Sequence, residues 1–276
     1  MPVTVVISEA AAQCAITEPT IKFEDGAAYE RLMGVWSRIA GAVFLDWLAA
    51  PAGGHWLDIG CGNGAFTELV MQRCAPAAMT GIEPSGAQLE FARSRAGTRS
   101  VAYVQGDAAS LPFADASFDA AVMALVLFFV PDPQRGVAEM ARVTKPGGIA
   151  AAYNWDFPNG GFPLAPMGRE MKEMGFSATL PPSVDTARAE RMRELWEDAG
   201  FTNVETRSIE APRTFDSFEQ LWEICLLSPS AGQRIREQSP EIQMQLRERV
   251  RSKCAPDAQG RITWTGKANA VKGRKP

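Results

Sequence analysis

Three acidic residues, Asp58, Glu83 and Asp107, each close a short apolar run, and the first is followed by glycines at 60, 62 and 64. Trp56-Leu57-Asp58-Ile59-Gly60-Cys61-Gly62-Asn63-Gly64 reads as a buried strand that opens into a glycine loop. Glycine at every second position lets the backbone take positive φ and lie close against a ligand. Free N–H groups at the start of a following helix suit a carboxylate or phosphate. A tight strand-to-helix turn with no ligand is the plain alternative for such a loop on its own. The downstream carboxylates favour the ligand. Ala78 to Glu83 and Val101 to Gln105 read as two further strands, the second ending at Gly106-Asp107. Glu83 follows Gly60 at about the twenty-residue spacing with which an acidic residue reaches a ribose hydroxyl. Carboxylates at three successive strand ends gather on the carboxyl edge of one parallel sheet, where open α/β sheets bind their ligands.

The rest of the chain supplies the elements that hold those ends in place. From Ala27 a helical pattern carries Leu32, Val35, Trp36, Ile39, Val43, Phe44, Trp47 and Leu48, and Pro51 to Gly54 ends it. Phe66, Leu69 and Val70 mark a helix directly after the glycine loop. Pro84-Ser85 starts another, with serine as N-cap. Ala120 to Ala124 reads as a fourth strand, Asp132-Pro133 opens a helix, and Lys145-Pro146-Gly147-Gly148 has the proline and glycine of a type II turn before a fifth strand, Ile149 to Trp155. Strands alternating with helices predict a doubly wound parallel sheet of the α/β class. Prolines and glycines break residues 157–184, leaving room for one short helix from Met167 to Met174, so this segment is expected to be a mobile lid or substrate insert. Helical patterning resumes at Asp185 and stops at Gly200; Val204 to Ile209 reads as a strand, Thr214 to Leu227 and Glu241 to Lys253 as helices, and Ile262 to Trp264 as a last strand. The expected organisation is a loosely held segment over 1–25, a core with its leading helix over 26–156, the insert over 157–184, and C-terminal helices and final strands over 185–276.

LDIGCGNG, GIEPS, QGDAASLPFADASFDAAV and RVTKPGG together resemble the successive motifs of the class I S-adenosylmethionine-dependent methyltransferases, most nearly the small-molecule enzymes of the ubiquinone and menaquinone type. The likeness runs from about Tyr29 to Asp156. It implies a Rossmann-like sheet of about seven strands and S-adenosylmethionine as methyl donor. It also implies cofactor contacts at Asp58, Gly60, Cys61 and Gly62 around the methionine part, at Glu83 and Pro84 around the ribose, at Asp107 and Ala108 around the adenine, and at Ala124 and Leu125 beside the sulfonium. A nicotinamide-dependent oxidoreductase would more often carry its third glycine one place later, where this chain has Ala65. That enzyme class, and a non-catalytic metabolite-binding form of the methyltransferase fold, are the alternative readings.

Composition narrows the partners. The chain has 276 residues, 46% hydrophobic, with net charge −4. No basic stripe marks a nucleic-acid binder, and Lys272, Arg274 and Lys275 read as a solvated tail. Five cysteines without metal-ligand spacing suit a reducing compartment, and no metal is expected. No run approaches the ~18 apolar residues of a membrane span. The expectation is a soluble, cytoplasmic enzyme acting on a small-molecule acceptor.

Methyl transfer from a sulfonium is an in-line displacement, which needs positioning and exclusion of water more than it needs a covalent nucleophile. The single histidine, His55, precedes the first strand at the end away from the ligand and reads as structural. Many members of the resembled family carry histidine after the fourth strand; here that place holds Phe128 and Phe129. An amine or carboxylate acceptor, a resonance-activated carbon, or Asp156 as base remain open, and no catalytic residue is assigned. Tyr29, Trp36, Phe128 and Trp155 are the candidates to wall a planar or cationic substrate, with Met33 beside them.

Overall fold

A computed structural model describes residues 30–50 and 52–276. The segment 1–25 and the candidate Tyr29 lie outside the described residues.

A π-helical turn, Glu30–Gly34, leads into α1 (Val35–Leu48), which Ala49 ends in a left-handed conformation at φ 48°. Trp36, Ala40, Phe44 and Leu48 recur at four-residue steps on α1, and all four are buried. The core then alternates as the pattern predicts: β1 (His55–Ile59), α2 (Ala65–Cys74), β2 (Ala78–Glu83), α3 (Gly86–Ser94), β3 (Ala102–Gln105), β4 (Phe118–Ala124), α4 (Pro133–Val143) and β5 (Thr144–Trp155). Ser85 caps α3 by accepting from the N–H of Gln88, and Asp132 caps α4 by accepting from the N–H of Arg135. After β5 come α5 (Ala165–Glu173), α6 (Ala189–Asp198), β6 (Thr202–Phe215), α7 (Phe218–Leu226), α8 (Ala231–Arg236), α9 (Pro240–Ser252) and β7 (Ile262–Arg274).

The seven strands form one sheet in the order β3-β2-β1-β4-β5-β7-β6. The first five are parallel, β7 runs antiparallel to β5, and β6 antiparallel to β7. Side chains alternate between two apolar layers. Trp56, Val122, Ala151, Tyr153 and Trp155 join α1 and α2 on one face. Leu57, Ile59, Ala121, Met123 and Ala152 meet α4 and α6 on the other. This is the Rossmann-like α/β sandwich, and its strand order reverses at β1 and β4, where the glycine loop leaves the sheet.

The C-terminal half departs from the sequence reading in extent. β6 and β7 are a long antiparallel pair rather than two short strands, and the helix after β6 starts at Phe218, past the expected Thr214. β7 lies between β5 and β6, so neighbours on both sides pair its backbone even where its side chains are Ala, Gly, Asn and Lys. The basic residues read as a solvated tail belong to this region. Lys272 donates to the carbonyl of Trp47 and sits 4.6 Å from that ring, while Arg274 donates to the carbonyl of Gly147. The same end of the chain lengthens β5: Gly147, at φ 77° as its turn requires, donates to the carbonyl of Lys275, and Lys275 donates back to Gly148.

Beneath the glycine loop, β2 carries Gly81 paired with Asp58 and Tyr103. A Cβ there would stand 2.8 Å from the Tyr103 ring and 2.9 Å from the Cys61 sulfur. The absent side chain is what lets ring and thiol close under the loop. Gly81→Ala is therefore expected to destabilise by about 1–3 kcal/mol through overpacking. Urea unfolding should show a lower midpoint with an unchanged slope; an unchanged midpoint would show that ring and thiol can repack freely.

Candidate functional site

The three loop glycines all have positive φ: 73° at Gly60, 52° at Gly62 and 78° at Gly64. The loop is anchored below, where the N–H groups of Gly60 and Cys61 both donate to the carbonyl of Ile82, at 2.7 and 3.0 Å. Above, the place of a Cβ on Gly62 has nothing closer than the Gly60 carbonyl at 4.0 Å, so backbone faces open space there. Glu83 bridges the loop to the start of α3: one oxygen accepts from the N–H of Gly62 at 3.2 Å, the other from the N–H of Ser85 at 3.1 Å. Burial raises the Glu83 pKa above the usual carboxylate range, and those two hydrogen bonds oppose the rise.

Asp58, at the end of β1, is fully buried. Its Oδ2 accepts from the Thr67 hydroxyl at 2.6 Å, whereas Oδ1 has no hydrogen-bond partner among the described residues. Burial pushes its pKa up to about 7; the Thr67 hydrogen bond opposes this and the neighbouring Glu83 charge adds to it. A cleft of about 30 Å³ reaches Asp58, Gly60, Gly62 and Ala124, and Ser37 of α1 faces it with a buried hydroxyl that also lacks a partner. An orphaned carboxylate oxygen beneath open glycine backbone fits a ligand that brings a cationic group such as an ammonium. The Cys61 thiol is buried, and burial, with Asp58 and Glu83 adding, pushes its pKa well above the ordinary value. It is no nucleophile.

The other expected cofactor positions follow the sheet edge. Asp107 is exposed one residue past Gly106 and folds into a local turn, its Oδ1 accepting from the N–H of Ala109 at 2.7 Å. Ala108 is half-buried beside it, and the Pro84 carbonyl accepts from the Gln105 side chain. A polar clamp closes the glycine loop from the N-terminal side. Glu30 in the π turn accepts from Asn63 of the loop at 3.0 Å and pairs with Arg38 and Arg95. Arg95 in turn donates to the Asn63 carbonyl at 2.6 Å and to Glu68 of α2 at 3.1 Å.

A second, larger cavity of about 570 Å³ opens at the end of β4. Leu125 lies between the two spaces. It follows Ala124, which lines the small cleft, and itself lines the large cavity. Its backbone is left-handed at φ 63°, with its N–H held by the Tyr153 carbonyl at 2.8 Å. A non-glycine residue in that region is strained, and such strain gathers at functional sites. Of the residues expected to wall a substrate, Phe128 and Trp155 line this cavity. Trp36 does not reach it: it is fully buried on the side of α1 that meets β6, 5.6 Å from the Phe215 ring with the Arg213 guanidinium 4.7 Å away. Leu32 and Met33, one turn earlier, face the cavity instead. Most of the remaining wall comes from the insert, including Phe157 and Phe162, whose rings stack at 4.5 Å. The insert is tied down: α5 buries Met167 and Met171, and Ser183 donates its N–H to Phe128 and its hydroxyl to Val130.

Among the described residues, no histidine, carboxylate, tyrosine or cysteine lines the large cavity. Asp156, the acid considered as a base, uses both oxygens to accept from Asn159 and stands outside the lining. His55 begins β1 at the opposite sheet edge, where its N–H donates to Asp119 at 2.8 Å. No group of three metal-ligating side chains occurs among the described residues, nor any helix long and apolar enough to cross a membrane. Ser37 and Thr67 escaped the sequence reading. Their signal was present: each is a polar residue on a helix face otherwise occupied by buried apolar side chains.

The Asp58 environment has a measurable consequence. With its folded pKa raised towards 7, the native state binds this proton more tightly than the unfolded chain does between about pH 4 and pH 7, so the contribution of this group to stability falls as pH rises through that window. Asp58→Asn is expected to melt at a higher temperature than the parent at pH 8, with the gap closing towards pH 5. Equal or lower melting at pH 8 would show that the carboxylate is already compensated in the free protein.

Three comparisons bear on kinship. A family model described as a methyltransferase domain matches residues 57–152, from β1 into β5. The demethylmenaquinone methyltransferase of Staphylococcus aureus is 30% identical over 172 residues, 55% of this chain and 69% of that protein. Among solved structures, a putative methyltransferase of Haloferax volcanii, in complex with the Trm112 methyltransferase activator, superposes with TM-score 0.59 at 20% identity, over 91% of this chain and 95% of that one. Phosphoethanolamine N-methyltransferase 2 of Haemonchus contortus, solved with S-adenosyl-L-methionine, gives 0.54 at 20% identity, over 90% of this chain and 56% of that one. The solved structures share the fold, while the sequence relative and the family model, centred on the glycine loop and the strand-end carboxylates, carry descent. The chain belongs to the class I S-adenosylmethionine-dependent methyltransferases.

Proposed function

We infer that the protein transfers a methyl group to a small, mainly apolar acceptor bound in the large cavity beside Leu125. The observation that carries this reading is the position of that cavity, lined largely by aromatic and aliphatic side chains and bordered by Leu125, the chain neighbour of Ala124 in the glycine-loop cleft. When bound, S-adenosylmethionine supplies an electrophilic methyl group on a sulfonium. Asp58 offers its unpartnered oxygen to the methionine ammonium, beside the open backbone of Gly60 and Gly62. Glu83 offers its remaining lone pairs to the ribose hydroxyls. Asp107 accepts from the adenine amine, with Pro84 and Ala108 alongside.

On the acceptor side the chain positions and dries rather than reacts. Met33, Leu125, Phe128 and Trp155 exclude water around the transfer line, which strengthens every electrostatic contact inside. With no histidine, carboxylate, tyrosine or cysteine in the described lining, the reading favours an acceptor that brings its own free lone pair at working pH, as a weakly basic amine, carboxylate, acidic phenol or activated carbon does. Demethylmenaquinone and phosphoethanolamine, named in the S. aureus relative and in the H. contortus enzyme, are two starting points for the acceptor search.

Incubating the protein with methyl-labelled cofactor and fractionated metabolites should place label in an apolar small molecule. Label appearing only in protein or nucleic acid would overturn the reading. Within it, Glu83→Ala and Asp107→Ala should each weaken S-adenosylmethionine binding by about 1.5–3 kcal/mol, the worth of a hydrogen bond to a charged group. Calorimetry returning parent affinity in both folded variants would remove their assigned roles.

A further inference from the structure

The large cavity has one charged flank. Arg169 and Lys172, three residues apart on α5, both line it, and no aspartate or glutamate does among the described residues. The acids of the same helix are engaged elsewhere: Glu170 and Glu173 both pair with Arg249 of α9. Arg169 and Lys172 have no ion-pair partner among the described residues, and both are exposed. Gly168, next to Arg169 on α5, also lines the cavity, and a Cβ there would meet nothing within 4 Å. Of the lining hydroxyls, Ser230 donates to the Thr179 carbonyl and Ser228 accepts from the N–H of Ala231. Opposite stand Leu125, Phe128, Trp155 and the stacked pair Phe157 and Phe162.

Two unpaired cations at the mouth of a low-dielectric chamber focus a positive potential into it. A neutral apolar guest would leave them merely hydrated, whereas a guest with an acidic group would meet a planar guanidinium fork and a mobile ammonium at once. We propose that the acceptor is an amphiphile: an apolar ring or chain filling the cavity, and a carboxylate, sulfonate or phosphate held at its mouth by Arg169 and Lys172. This deepens the reading of the cavity as the acceptor site and rests on it. Binding is nevertheless testable without turnover.

Two dyes that share a ring framework separate the contributions. 1-Anilinonaphthalene-8-sulfonate carries the anion; N-phenyl-1-naphthylamine lacks it. Fluorescence titration of the full chain should show the sulfonate binding at least about tenfold more tightly than the neutral dye. Raising salt from about 0.05 to 0.5 M should shrink that preference. Arg169→Gln with Lys172→Gln should remove it while leaving the neutral dye within about twofold, in a variant that keeps a cooperative melt. Gly168→Leu, which puts a side chain into the open space of the lining and leaves both charges in place, should weaken both dyes. Equal affinity for the two dyes, an unchanged sulfonate affinity in the double variant, or indifference of both dyes to Gly168→Leu would each overturn the proposal. The donor reading is tested apart, by S-adenosylmethionine affinity in the same double variant, which is expected to stay at the parent value whichever way the dyes behave.

Discussion

A carboxylate buried under a glycine loop is the constraint around which the molecule is arranged. Asp58 sits in the middle strand of the parallel sheet, paired through its backbone to β2 and β4, and cannot move to water without breaking both ladders. One oxygen is held by Thr67 and the other has no partner. Leaving such a group ionised and unpaired is costly, which is why its pKa rises towards neutrality. Evolution could remove that cost with an asparagine. Keeping the acid makes sense where a cation arrives to complete it, and the open backbone at Gly62 provides the approach. The free protein thus carries an unpaired buried acid at the point where the proposed ligand's cation would relieve it.

The loop above Asp58 needs holding from outside the sheet, since its glycines contribute no side chains. Glu83 fixes one side by taking two backbone N–H groups. The Glu30–Arg95–Asn63 clamp fixes the other and joins the entry helix, the loop and α2. Arg213 works further along the entry helix. Without an ion-pair partner among the described residues, it lies over both the Trp36 and Phe215 rings and donates to the Leu32 carbonyl at 2.7 Å. Desolvation lowers its pKa, yet the ring faces and the carbonyl offset part of that penalty. Through Arg213 the long β6–β7 pair, distant in sequence, sets where Leu32 and Met33 meet the large cavity.

What could be read from the sequence was local. The β1 run, the glycine loop, the two downstream strand-end acids and the Ser85 and Asp132 caps are each defined within a few neighbouring residues, and the structure has them where the pattern put them. β7 was shortened to Ile262–Trp264 because Gly266, Lys267, Ala268, Asn269 and Ala270 have little strand propensity of their own. Their strand is imposed by β5 and β6 on either side. Trp36 was placed at the cavity because helical periodicity shows a shared face but not which partner that face meets. The face turned to β6, and the preceding π turn carried Leu32 and Met33 towards the opening. The far wall, drawn from Phe157 to Pro181 and from Ser228 to Ala231, has no periodic signal because it is assembled from segments some fifty residues apart.

Leu125 makes the division of labour physical. A left-handed residue at the end of β4 turns the chain so that Ala124 borders the cleft over Asp58 while Leu125 and Phe128 border the large cavity. Acidic groups lie on the first side and cations at the mouth of the second. A donor that brings an ammonium and a sulfonium is matched to the first. It would be repelled by Arg169 and Lys172 if it entered through the second. On the proposed reading the same charges favour an acceptor of opposite sign there, which would direct each reactant to its own chamber before any close fit is tested. With no histidine, carboxylate, tyrosine or cysteine in the described lining, that sorting and an apolar surround are what the chain would contribute to the proposed transfer. In that proposal selectivity rests on the shape and charge of the large cavity, built largely from the insert, while the donor side can stay common to the family.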